Sequence, residues 1–379
     1  MENQSPDWSS LSLDLLNRVS KKLDHSFDYL HFRSVCSNWH SAAPPLKFPP
    51  LLFLPFDPTT ETIPFFDPSD GGVHSFPLPA EARNKTFCGT SHGWLILLDE
   101  PTNCISLLNP LTSTSVPLPP FTHHLPKPST KRVILRIDRC LANPRCIRPG
   151  VPWQNRPFIQ EAVLSSPPAT SGDPCIVMAI LQNGEELAFC RPGDGAWTLV
   201  ETNGVYNIDS VAYWNGSFYA VDRIGRIAVC ELNATPAGVA RVSLVPEPLV
   251  PDQFKLLESK GELLLVGIDT EDDDNPDYEM KTFVYKADMG EGRLTWTKVD
   301  TMGEKTLFLS EDSNSGFVGH ELRGCRRNCM YISKSSDHEE AVHFIRLRNI
   351  GDSSSSELIS CRWSSNPSGA VFWLKPGFF

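Results

Sequence analysis

Short apolar runs, each four to eight residues long and closed by Gly, Pro, Asn or Asp, fill most of this chain. They are Gly93–Leu98, Cys104–Pro110, Arg132–Ile137, Cys175–Leu181, Glu186–Cys190, Trp197–Val200, Ser210–Trp214, Ser217–Asp222, Arg226–Leu232, Glu262–Ile268, Thr282–Ala287, Cys329–Ser333 and Ala341–Leu347. Runs of that length with those borders are β-strands, and the 33 prolines suit the connectors between them. A proline inside a helix removes a backbone donor and clashes with the preceding turn, so long helices are excluded here. Two hairpins are explicit. Asn215-Gly216 lies between Val211–Tyr213 and Phe218–Ala220, and Asn183-Gly184 lies between Ile180–Leu181 and Glu186–Ala188. Asn-Gly accepts the positive φ angles of a tight type I′ turn.

Glycine, apolar strand, polar turn and second strand recur after Gly93, Gly184, Gly216 and Gly261 at unequal intervals. At about 45 residues per four-stranded unit, the strand-rich part allows six or seven degenerate blades. Radial repetition also protects edges that one long open sheet would expose. The expected fold is therefore mainly β, a large β-propeller-like domain, with a large β-sandwich as the alternative.

The first 43 residues differ. Leu15, Val19 and Leu23 recur four apart, and Leu16 widens the stripe. Phe27, Leu30, Phe32, Val35, Cys36 and Trp39 form a second set, which Asp28 is placed to cap and which Pro44 and Pro45 stop. Two or three short helices in about 40 residues sit at the lower size limit for independent folding and call for a partner surface.

This segment resembles the F-box, which docks a protein onto the Skp-type adaptor of a cullin–RING ubiquitin ligase. The matching residues are Trp8 and Leu11, the step Asp14-Leu15-Leu16, Val19 and Leu23, and the run D-x-L-x-F-R-S-V-C-x-x-W from Asp28 to Trp39. The family usually has Pro where this chain has Ser12, a residue that also suits a helix start. Leu13 stands where a polar residue is common. The resemblance implies a three-helix F-box over residues 7–45. A Pro-rich linker over 46–60 and the propeller-like domain over 61–379 would follow. For adaptor binding it points to Trp8, Leu11, Leu15, Leu16, Val35 and Trp39. Leu16 is also expected, with Val19, Leu23 and Leu30, to hold the helices together.

The remainder is similar to plant F-box proteins whose C-terminal part was once labelled only as a domain of unknown function. The residues that carry this are Cys88–Leu95, Leu107–Thr112, Leu118–Pro120, Leu187–Trp197, Phe218–Gly225, Gly261–Val266, Phe283–Asp288, Gly324–Tyr331 and Trp373–Pro376. The implied role is a non-catalytic substrate receptor, in the nucleus or cytoplasm, that holds an unidentified client protein for ubiquitination. The alternatives are an F-box protein acting outside the ligase, and a hydrolase built on Gly89-Thr90-Ser91-His92-Gly93. That pentapeptide fits G-x-S-x-G, but the elbow motif needs a helix after its turn, and Trp94–Leu98 reads as a strand.

The formal net charge of −11 argues against broad nucleic-acid binding, which needs clustered cations. No apolar run reaches membrane-spanning length, and the first residues carry no secretory pattern. The 11 cysteines include no CxxC pair, so no metal or other cofactor is expected and most thiols should be small core residues. The acidic run Asp269–Asp277 lacks the mid-loop Gly and closing Glu of a calcium loop and reads as a solvated insertion. Arg323, Arg326 and Arg327 are expected to pair with surface acids. Most of Trp153, Trp197, Trp214, Trp296, Trp363 and Trp373 are expected in the core.

Overall fold

The fold is that of a computed structural model. It describes residues 8–23, 28–29, 32–33, 35–43, 48–54, 60–99, 101–110, 112–120, 159–168, 174–181, 184, 186–202, 204–232, 238–244, 251, 253–269, 281–290, 293–310, 316–320, 322, 324–335, 343–349, 356–361 and 372–374. The expected strand Arg132–Ile137, the acidic run beyond Asp269, Trp153, Trp363, Arg323, Phe27 and Leu30 lie outside these residues.

Six sheets form the body. The first joins β1 (Leu51–Phe53), β2 (Thr62–Asp67) and β3 (Gly72–Pro77) to β25 (Phe372–Leu374), from the far end of the chain. The second is β4 (Thr86–Ser91), β5 (Trp94–Asp99), β6 (Cys104–Asn109) and β7 (Thr114–Pro117). The third is β8 (Ile159–Leu164), β9 (Val177–Leu181), β10 (Glu186–Cys190) and β11 (Thr198–Val200). The fourth is β12 (Ile208–Trp214), β13 (Ser217–Asp222), β14 (Arg226–Glu231) and β15 (Gly238–Leu244). The fifth is β16 (Gln253–Ser259), β17 (Glu262–Asp269), β18 (Lys281–Gly290) and β19 (Arg293–Lys298). The sixth is β20 (Lys305–Ser310), β21 (Gly316–His320), β22 (Cys329–Ser335), β23 (His343–Asn349) and β24 (Ser356–Cys361). In the sixth, β20 pairs with β22 in parallel, because β21 folds back onto the other edge of β20.

The first strands of successive sheets touch in turn, β4 to β8, β8 to β12, β12 to β16 and β16 to β21, and β25 touches both β20 and β4. The ring is thus closed. Six apolar clusters lie one at each blade-to-blade junction. This is a six-bladed propeller and not a sandwich. The segment 46–60, expected as linker, contributes β1, with Leu52 paired to Trp373 on one side and to Phe66 on the other. Pro49 and Pro50 precede β1 and leave its own ladder positions free to pair.

Local chemistry explains the elements. Trp214 pairs with Ser217 across Asn215 (φ 47°) and Gly216 (φ 81°), the two-residue turn anticipated from Asn-Gly. Gly184 has φ 87°, and a Cβ there would meet Ile208 O at 2.5 Å, so the turn must pass close to the next blade. Polar side chains on first strands staple neighbouring blades. The Leu164 N–H donates to Ser91 Oγ (3.1 Å), Leu256 N–H to Ser210 Oγ (3.1 Å) and Phe254 N–H to Asp209 Oδ2 (3.1 Å). Thr90 Oγ1 donates to Trp373 O (2.8 Å).

Candidate functional site

The N-terminal helices have a small core of their own. The leading 3₁₀ turn is Trp8–Ser10, followed by α1 (Leu13–Ser20), helical residues at 28–29 and 32–33, and α2 (Ser37–Ala42). Leu16, Tyr29, Phe32, Ala42 and Ala43 are buried together, with Leu11, Leu23, Trp39 and Phe48 partly buried against them. The Phe32 and Trp39 rings lie 4.6 Å apart, and Tyr29 and Phe48 5.5 Å apart. Buried Arg33 donates one guanidinium nitrogen to Ala43 O, at the end of α2, and another to His40 Nε2 (2.8 Å). Asp14 in the first turn of α1 and Arg18 in its last both oppose the helix dipole favourably.

The helix faces differ from the expectation by one position. Successive helical residues point about 100° apart, so Leu15 and Leu16 cannot both enter a narrow core. Leu16 is fully buried, and Ser20, one turn on, is buried behind it. Leu16 therefore offers no surface to an adaptor. Leu15 (47% exposed) and Val19 (45%) form the flanking, outward stripe, so Val19 does not hold the helices together. Ser12 occupies the N-cap position but makes no side-chain cap hydrogen bond; its carbonyl accepts from Leu16 N–H (3.1 Å). Asp28 is itself helical and exposed, inside the turn it was expected to cap.

Trp8 is 61% exposed, Leu13 55% and Val35 53%. With Leu15 and Val19 they make five of the ten exposed large apolar side chains among the described residues, all within this small module. Exposed apolar side chains concentrated in one small unit mark an interaction surface. Leu11 and Trp39 are only partly accessible. Leu13 was not among the anticipated contacts, although an apolar residue at an ordinarily polar position was its signal. Asn38 was also missed. Its amide nitrogen donates to Ser9 O and Leu11 O, both at 3.1 Å, while Trp39 Nε1 donates to Trp8 O at 2.9 Å.

In the propeller, Gly89-Thr90-Ser91-His92-Gly93 is strand, turn and strand. Ser91 pairs with Trp94 across His92 (φ 50°) and Gly93 (φ 78°), and no helix follows. Ser91 is buried and accepts the Leu164 amide, so it acts as a blade staple in place of an elbow nucleophile. The eight cysteines with described side chains are free thiols. Burial pushes Cys175 up to about 11 and Cys230 and Cys325 up to about 12, which keeps them neutral packing groups. Arg327 pairs with Glu304, both exposed. Trp214, Trp296 and Trp373 are buried, and Trp197 is partly buried with its Nε1 donating to Pro119 O (2.7 Å).

A three-part helical unit with an exposed apolar face, ahead of a closed six-bladed propeller, defines an F-box protein of the propeller class. Residues 8–49 match the F-box domain, and residues 65–353 match the family described as the KIB1-4 beta-propeller. The chain belongs to that family and is a plant F-box protein with a propeller domain. The F-box protein SKIP23 of Arabidopsis thaliana is 31% identical over 91% of this chain and 88% of its own length. Two further Arabidopsis thaliana relatives are the F-box protein At2g17036 (27% identical, 91% and 87%) and the F-box/kelch-repeat protein At1g57790 (26%, 88% and 85%). An F-box implies a Skp-type adaptor of a cullin ligase as partner, and this architecture is typical of non-catalytic adaptors.

Proposed function

We propose that this chain is the substrate receptor of a Skp–cullin–F-box ubiquitin ligase: its helices dock the Skp-type adaptor and its propeller holds a client protein. The observation that carries this reading is the concentration of exposed apolar side chains, Trp8, Leu13, Leu15, Val19 and Val35, on a module that already fills its own core. Fully burying one such side chain contributes roughly 1.5–3 kcal/mol, and a few anchors suffice for a stable complex. The receptor needs no catalytic group, because it acts by raising the local concentration of the client and fixing its orientation. The locations that go with this role are the nucleus and the cytoplasm, and imaging a tagged full chain in plant cells tests them.

The direct test is binding of the full chain to a purified plant Skp-type adaptor, with Leu15→Asp and Val35→Asp as separate variants. Both side chains are exposed, so the charges leave the module core intact. The expected result is at least a tenfold loss of affinity for each, at unchanged thermal midpoint. Undiminished binding by both variants would remove the apolar face as the docking surface. Proximity labelling by the full chain, compared with a chain lacking residues 1–45 and with degradation blocked, then separates ligase partners from the client.

A further inference from the structure

The leading turn Trp8–Ser10 buries none of its own residues. It carries the most exposed aromatic side chain among the described residues of the module, Trp8. Three hydrogen bonds from α2 hold this turn and Leu11 after it. Asn38 Nδ2 bridges Ser9 O and Leu11 O at 3.1 Å each, and Trp39 Nε1 reaches Trp8 O at 2.9 Å. Both partners of the amide are carbonyl oxygens, which only accept, so the Asn38 NH₂ must face them. One side chain on α2 thus ties down two carbonyls of a segment that lies 27 and 29 residues earlier.

We infer that Asn38 is the positioning residue of the docking face: it fixes the Trp8–Leu11 segment in its binding shape before the adaptor arrives. This rests on the docking reading above. Segments ordered in advance bind more tightly because the ordering entropy is not charged to the complex. Asn38 itself is not a contact anchor. It is half-buried beneath the turn and acts through Trp8 and Leu11.

Two substitutions separate this role from ordinary stability. Asn38→Ala removes the donors. Asn38→Asp keeps the side-chain volume, sets a carboxylate against two carbonyls, and places a negative charge in the first turn of α2, where it favours the helix. Neither touches the Leu16, Tyr29, Phe32, Ala42 and Ala43 core. With the full chain and a purified plant Skp-type adaptor, the expected loss of affinity is about tenfold for Asn38→Ala and at least as large for Asn38→Asp. On top of Trp8→Ala, Asn38→Asp should add about twofold or less, since a residue acting through Trp8 is coupled to it. In the free chain, amide exchange in a peptide covering residues 8–12 should quicken in Asn38→Asp while exchange in α1 is unchanged. Unchanged affinity, an effect that multiplies fully with Trp8→Ala, or unchanged exchange in the free chain would each overturn the inference. A wild-type chain that fails to bind the adaptor overturns the docking reading instead, and the exchange measurement still decides whether Asn38 holds the turn.

Discussion

Ser12 shows how one residue sets the quality of an element. Its φ of −63° is the value a proline ring imposes, and its side chain makes no cap hydrogen bond. A helix start has no intrahelical use for that N–H. Ser12→Pro should therefore stabilise α1 by about 0.4–1 kcal/mol through the unfolded state, seen as slower native-state amide exchange in α1. Loss of protection would mean that the segment before Ser12 cannot accept a following proline. Gly184 is the converse case. Its amide donates to Leu181 O (3.1 Å) and its carbonyl accepts from Ile208 N–H (2.8 Å), while φ is 87°. A methyl group there meets the backbone of Ile208, which cannot move aside without breaking a blade junction. Gly184→Ala should cost more than about 2 kcal/mol in a urea unfolding midpoint, combining left-handed strain with the collision. A cost below that would show that the turn can shift away from β12.

At the scale of elements, the ion pairs of Glu262 join two blades. Lys286 of β18 lies 2.7 Å from one carboxylate oxygen, and Lys305 of β20, in the next blade, pairs with the other. Burial pulls this carboxyl upward, but the hydrogen bonds and charges of the two lysines outweigh it and hold the group below its ordinary 4.5. A lowered acid stabilises the fold above 4.5, and that contribution is lost as pH falls through the lowered value. Solvent reaches the site, so Glu262→Gln should cost no more than about 1 kcal/mol near neutral pH. The gap between wild type and variant should narrow as pH falls below 4.5 and through the lowered value, measured as urea midpoints across that range. A gap that stays constant would mean the charge contributes nothing. The elements themselves were unevenly legible. β5, β10, β13 and β17 are apolar runs ending at turn residues, and period and punctuation place them correctly. Among the first strands of the blades, β12 was anticipated as Ser210–Trp214, whereas β4 and β16 were missed. Gly89, Thr90 and Ser91 interrupt the apolar pattern of β4, Thr90 and Ser91 because their hydroxyls bond the neighbouring blades, and Gln253 and Lys255 interrupt that of β16. β1 and β25 are three residues each, and their pairing joins residues 52 and 373, for which no local pattern exists. On the helical module, spacing revealed the F-box but not which of Leu15 and Leu16 faces inward. That depends on where Phe32 and Ala42 sit. Asn38 was invisible for the same reason, since its role depends on reach across the fold.

At the scale of the whole molecule, closure decides which parts of the chain are separable. The ring closes because β25 pairs with β1, and Trp373 anchors that seam. Trp373 is fully buried, donates from Nε1 to Leu309 O (2.8 Å) and meets Phe308 edge-on at 5.1 Å. Its loss would open the cluster of Leu52, Leu54, Phe66, Phe308 and Tyr331 between the first and sixth blades. The helical module, by contrast, has its own core, and its described residues supply no strand to any of the six sheets. Two truncations, one at each end of the chain, should therefore behave in opposite ways. Removing residues 1–47 keeps β1, which begins at Leu51, and should leave the cooperative unfolding of the propeller in place while abolishing adaptor binding. Removing residues 372–379 deletes far fewer side chains, yet exposes the β1 edge and uncovers the apolar seam. That chain should unfold several degrees or more below wild type and aggregate through the free edge, as read by scanning calorimetry and light scattering. Trp373→Ala is the milder version and should cost about 3–5 kcal/mol. If the chain without residues 372–379 melted like wild type, the seam would not be what holds the ring, and the remaining junctions would have to sustain an open body whose first blade keeps three of its four strands.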